Sequence, residues 1–405
     1  MKYEKPFLTL DQQADLLIKQ RGMDADRASL ITHLADVGYY RLSGYWHIFR
    51  LKNDDRFQAG TSFNQIWTLY TFDRQFRLVV LDAIERVEVY LRSRLAYMLA
   101  EQTGPFGFMD RKGLPRLSQE RYERFINRCY SAYEQSKRGE PFSKHFSDTY
   151  GDEHALPPYW MLVNMIDFGT VVTLYKGASV DIRLSLAKDL GISTKVLDSW
   201  LVTINTVRNI CCHHGRLWNR VIGNPPKLPK SEAWHVPFEI NNDRIFGTPT
   251  VLSWLLERMA PDTHWRSRLF SLMNTLPRRY WPLMGFREGW DACPIWSPLL
   301  TPGDFSHMGL RWESWTETIL CCQQTQVPAV LHGAPVIQVA FHPDIPVPSE
   351  VCVEHVFDSL GVAGWGWYRK SVPNDEAWRI ACTPLNRGPG RSSSTSSTAS
   401  RRRRR

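Results

Sequence analysis

Three side chains with complementary chemistry crowd the end of one apolar helical pattern. They are Arg208, Asn209 and His213, in the segment Arg208-Asn209-Ile210-Cys211-Cys212-His213, followed by His214-Gly215. At about 3.6 residues per turn, Asn209 and His213 share a face and Arg208 lies one step around the cylinder. A guanidinium is a permanent forked cation suited to a phosphate, an imidazole exchanges protons near neutrality, and an amide orients a neighbour. Those are the parts needed to cleave RNA without a metal: a base or acid for the 2′-hydroxyl and the leaving oxygen, and a cation for the charge gathering on the phosphorane. The spacing alone decides little. In a chain this rich in arginine, with 12 histidines, about one Arg-x4-His is expected by chance, and a bland pair on a helix surface explains it as well.

The elements that must position this trio are helical. Ser193 can cap a helix from Thr194, with Leu197, Trp200, Leu201, Ile204, Val207 and Cys211 as its buried stripe. Gly215 is expected as its C′ residue, leaving His213 in the last turn near the negative end of the helix dipole. Upstream, Thr9 to Gln20 and Asp24 to Val37 read as helices, and Gly38 to Phe49 as an aromatic connector that contains a bland Arg41/His47 pair. Between Ser62 and Ala100 apolar residues recur at three- and four-residue steps, which predicts one long amphipathic helix or two in line. Its other face carries Asp73, Arg74, Arg77, Asp82, Glu85, Arg86, Glu88 and Arg92, a mixture expected to be solvated and laced with ion pairs. Helical patterns return at Ser118 to Lys137, Tyr159 to Tyr175 and Asp181 to Leu190. Strand-like alternation is almost absent before residue 290, so the body is expected to be all-α.

The segment Thr206 to Asn219 resembles the active-site helix of the Abi-like (abortive infection AbiD/AbiF) proteins, a family of the HEPN superfamily of helical-bundle RNases and RNA-binding domains. The likeness extends in chain order to Leu34 to Trp46 with its Gly38-Tyr39-Tyr40-Arg41-Leu42-Ser43-Gly44-Tyr45-Trp46, and to Leu69-Tyr70-Thr71-Phe72-Asp73-Arg74. It continues through Leu81 to Glu88, Trp160 with Phe168-Gly169, and Met284-Gly285-Phe286 with Trp290, Pro294 and Trp296. His47 departs from the aromatic residue expected after Gly-Tyr-Trp. The resemblance implies a HEPN-type helical bundle with additional N-terminal helices over residues 1–297, with Arg208 and His213 as the catalytic pair and Asn209 beside them. It extends the RNA-contacting set to His214, Arg216 and Asn219. It further implies a metal-independent endoribonuclease acting as a toxin in antiviral defence, quiet until infection, with RNA as substrate. Two chains would pair their motif helices as a homodimer, and association with a structured small RNA is expected by analogy with paired-motif CRISPR effector nucleases. The alternative within the family is a non-catalytic RNA-binding protein working in a ribonucleoprotein.

Charge distribution adds little to this. The net charge of +9 comes mostly from Arg387, Arg391 and the run Arg401 to Arg405, so the body is nearly neutral and bulk attraction carries no nucleic-acid claim. Eight cysteines without a Cys-x-x-Cys spacing argue against a zinc ribbon or a secreted disulfide framework, and neither metal nor cofactor is expected. No apolar run approaches the roughly 18 residues of a membrane span, and the N-terminus lacks the apolar core of a secretion signal, so no membrane association and a cytoplasmic location are expected. Residues 298–386 read as an irregular extension, either a small β-containing module or an accidental addition, and 387–405 as a disordered Arg/Ser-rich tail.

Overall fold

The computed structural model describes residues 2, 4–235, 240–287, 289–290 and 293–296, and four short strands beyond them. The chain divides into two units, Met1–Leu299 and Leu300–Arg405. Among its described residues the first unit is built from helices alone, as its apolar periodicity requires. In the second, β1 (Ala329–Leu331) pairs antiparallel with β2 (Ala334–Val336), and β3 (Glu350–Cys352) pairs antiparallel with β4 (Trp367–Arg369). The tail at 387–405 lies outside the described residues.

Helix α1 (Leu10–Asp15) opens on Thr9. The Thr9 hydroxyl accepts the Gln12 N–H, and the Gln12 side chain accepts the Thr9 N–H, so two orphan donors are satisfied reciprocally. The helix widens into a π-helical turn over Leu16–Gln20. Helix α2 (Arg27–Val37) starts on Asp26 and stops at Gly38, whose φ of +87° suits a residue without Cβ. The expected connector after Gly38 is itself helical: α3 (Tyr39–Trp46) buries Leu42, Tyr45 and Trp46 three or four residues apart, a spacing that its aromatic composition obscured.

Helix α4 (Phe63–Thr103) is a single rod of 41 residues, about 60 Å long at 1.5 Å per residue. Ser62 and Gln65 cap it reciprocally, and Gly104 ends it at φ +77°. It is the spine of the unit. After α5 (Gln119–Ser136) and α6 (Pro141–Tyr150), the expected single helix over Tyr159 to Tyr175 divides into α7 (Tyr159–Met165) and α8 (Phe168–Gly177). The break comes from Asp167, whose carboxylate accepts the Thr170 N–H at 3.0 Å; such a local acceptor competes with continuation of the preceding helix. Helices α9 (Val180–Asp189), α10 (Thr194–Cys212), α11 (Gly247–Met259), α12 (Trp265–Asn274) and α13 (Trp281–Met284) complete the unit. α3, α7, α8, α9, α10, α11 and α12 all pack on α4, so the apolar stripe of one rod is covered from several sides. No helix among the described residues is long and apolar enough to cross a membrane.

Candidate active site

Ser193 caps α10, accepting the Val196 N–H, and the expected stripe from Leu197 to Cys211 is buried against the bundle. The helix ends on Cys212, with His213 as its C-cap. The His214 N–H then donates to the Cys211 carbonyl at 3.0 Å and the Gly215 N–H to the Ile210 carbonyl at 2.8 Å, a Schellman closure of the last turn. The left-handed residue in this closure is His214, at φ +56°, and not Gly215 as the sequence suggested. Gly215 has a different role: a Cβ there would come within 3.1 Å of Ile210 Cγ2 and 3.2 Å of the Ile210 carbonyl oxygen, so close backbone approach selects glycine. A β-carbon in the left-handed region is strained, and His214→Gly should raise stability by about 1 kcal/mol, read as a higher midpoint of thermal unfolding. A lower midpoint would mean that the imidazole makes contacts worth more than the strain.

The loop that follows is clamped from two helices. Arg41 of α3 donates to the His214 carbonyl at 2.7 Å, so its partner is this loop and not His47. Arg216 reaches back to the Gly44 carbonyl, and Arg77 of α4 donates to the Gly215 carbonyl at 3.4 Å. Beneath them lies Asp73, fully buried. Its carboxylate accepts from Tyr45 Oη at 2.6 Å, Arg77 Nη1 at 2.5 Å, the Trp218 N–H at 2.8 Å and the Leu217 N–H at 3.1 Å. Burial pushes this carboxyl above the ordinary carboxylate range, opposed by the Arg77 charge and by the donors aimed at its oxygens. Asp73 and Arg77 therefore depart from the solvated face expected of them.

On α10, Asn209 and His213 are exposed and Arg208 is half-buried. Arg208 Nε stands 3.7 Å from Glu88 Oε2, and its Nη1 lies 3.5 Å from Asn209 Oδ1. Both contacts are long for a guanidinium, whose charge-assisted hydrogen bonds run to about 2.7–2.9 Å, so the cation remains able to take an anion. Glu88 is gripped more closely by Arg92, which also donates to the Val163 carbonyl and, at 2.8 Å, to the Ile166 carbonyl. Neighbouring Cys211 faces inward, and burial pushes its thiol up to about 12, so it takes no part in thiolate chemistry. Cys212 is exposed beside His213.

Of the further expected contacts, His214 is exposed at the loop tip. Arg216 is committed to the Gly44 carbonyl, and Asn219 is half-buried with its Oδ1 unpartnered. Sequence reasoning missed Glu88 and Arg92 as neighbours of Arg208, and Arg41, Asp73 and Arg77 as the clamp. For Asp73 a signal was present, because it stands on the same helical stripe as Ile66, Leu69, Phe76 and Val80, all buried. Among the described residues, no three His, Cys, Asp or Glu side chains gather as ligands for a metal ion.

A family model described as Abi-like protein matches residues 32–219, a span that begins in α2 and ends just past the loop that closes α10. No curated protein and no solved structure matches the chain significantly.

Proposed function

Because residues 32–219 belong to the Abi-like family, we propose that this chain is a metal-independent endoribonuclease of HEPN type that acts in abortive infection against phage. The observation that carries the reading is the open end of α10. There a loosely held guanidinium reaches an exposed amide, and an exposed imidazole follows that amide four residues on, where the buried stripe of the helix ends. Arg208 would hold the scissile phosphate and its developing charge, His213 would move the proton of the 2′-hydroxyl or of the leaving oxygen, and Asn209 would orient one of them. The buried face of α10 and the Asp73 clamp fix the backbone that carries these side chains and the loop that follows.

One Arg-x4-His motif in the sequence also supports a site completed by a second copy, two motif ends facing across a twofold axis. A structured small RNA is a partner of the same chemistry. The second reading, RNA binding without cleavage, uses the same surface and differs only in outcome.

The test is incubation of the purified chain with labelled RNA in the presence of EDTA. Cleavage that survives chelation and leaves 2′,3′-cyclic phosphate ends is the expected result. RNA that co-purifies and stays intact would favour the binding protein, and RNA neither bound nor cut would end both readings.

A further inference from the structure

We propose that the cleft between α4 and α7 is a base-binding subsite that takes an unpaired nucleobase of the RNA next to the phosphate held by Arg208. The inference rests on the ribonuclease reading of that site and adds a place for the substrate's uncharged part.

The cleft encloses about 630 Å3, within the range of sites that take a small organic group, and is walled by Val89, Ala96, Tyr97, Ala100, Trp160 and Val163. Along α4 it starts at Val89, the residue after Glu88, and Arg92 belongs both to its lining and to the Glu88 contact that reaches Arg208. Arg92 therefore stands between the hollow and the carboxylate that reaches Arg208. Two aromatic side chains stand at its mouth half in water, Trp160 at 52% and Tyr97 at 63% exposure. Neither meets another ring among the described residues. Aromatic planes left open beside a cation are what single-stranded RNA uses, since every base offers a π-face.

The charge balance also favours a base. Arg92 is engaged by Glu88 and by two backbone carbonyls, and Glu101 supplies a carboxylate at the far rim, so the cleft is nearly neutral and unsuited to a phosphate. Glu101 and Asn164 can instead meet the exocyclic groups of a base edge. A nucleotide is a flat neutral ring joined to an anion, and the molecule places an aromatic-lined hollow one ion-pair relay, Arg92 to Glu88, from Arg208. A concave hollow of this kind fits an inserted ring better than the broad face, near 800 Å2 per partner, that a stable pairing of two copies calls for.

Trp160 also stands within the matched family segment, and nothing in the α10 site uses it.

The experiment uses the full chain and a short unpaired RNA carrying one 2-aminopurine at successive positions around the cut. In the non-cleaving His213→Ala background, fluorescence should be quenched at one position beside the scissile bond, and Trp160→Ala should relieve that quenching. In the cleaving protein, Trp160→Ala and Tyr97→Ala should each raise KM about tenfold with kcat nearly unchanged, and Trp160→Phe should restore most of the loss. An abasic nucleotide at the same position should weaken binding to the wild type and add nothing to Trp160→Ala. A protein that cuts RNA through His213 but whose KM ignores both aromatic substitutions overturns the subsite and leaves the nuclease. Loss of a dimer on sedimentation with an unaltered KM overturns it in favour of an interface between copies. A wild type that neither binds nor cuts RNA removes this inference together with the reading beneath it.

Discussion

His213→Ala is expected to lower the rate of RNA cleavage by about 10²–10⁴-fold, the usual worth of a positioned proton-transfer group. The fold should not notice. His213 is exposed at the end of α10, and its backbone N–H, which donates to the Asn209 carbonyl at 3.0 Å, survives the substitution. A thermal midpoint close to the wild type's is therefore the control that separates lost chemistry from lost structure. Arg208→Ala should lose about 10²–10³-fold through the missing charge on the phosphorane. Arg208→Lys should recover only part, because an ammonium lacks the planar fork. Mixing the two inactive variants, His213→Ala and Arg208→Ala, adds a test of architecture. If two chains build one site, heterodimers regain one histidine and one arginine and cleavage returns; if each chain acts alone, the mixture stays as inactive as its parts. Retention of full activity by His213→Ala would remove the imidazole from the mechanism.

What was legible in the sequence followed from period and caps. The buried stripe of α10, the helical period of α4, and the caps at Thr9 and Ser193 all rest on interactions between residues three or four apart, so they are readable from the chain itself. The exposure of Asn209 and His213, four residues apart and off the buried stripe, was legible for the same reason. Arg41, Asp73 and Arg77 were not, because their partners lie far along the chain: His214 for Arg41, Leu217 and Trp218 for Asp73, and Gly215 for Arg77. A charged residue on a helix is expected to face water unless something pays for its burial, and here the compensation comes from backbone donors beyond residue 214. The closure of α10 misled for a local reason. Glycine is the commonest left-handed residue, but the Ile210 side chain and carbonyl crowd position 215, and the turn falls on His214 instead.

The buried clamp carries the largest expected effect on stability. Asp73→Ala removes the acceptor of two backbone N–H groups, one phenol and one guanidinium, and it leaves the Arg77 charge inside the bundle without its partner at 2.5 Å. Breaking a buried pair from one side costs about 3–5 kcal/mol, a large share of the 5–15 kcal/mol that holds a typical domain. Chemical denaturation should show the midpoint falling accordingly, and Asp73→Asn should be little better, since its amide N–H₂ would face donors. Tyr45→Phe is the graded version. It removes one of the four donors, leaves the charge pair, and should cost about 1 kcal/mol. That milder variant also connects the clamp to the chemistry: it loosens the 214–218 loop without unfolding the protein, so kcat should fall while KM for RNA holds, as expected of a positioning residue that never touches the substrate. Removing both charges with Asp73→Leu and Arg77→Met together should cost less than Asp73→Ala alone, because no uncompensated ion is left behind. An Asp73→Ala protein that unfolds within 1 kcal/mol of the wild type would show that the loop closing α10 is held by the packing of Leu217 and Trp218 rather than by the carboxylate beneath it.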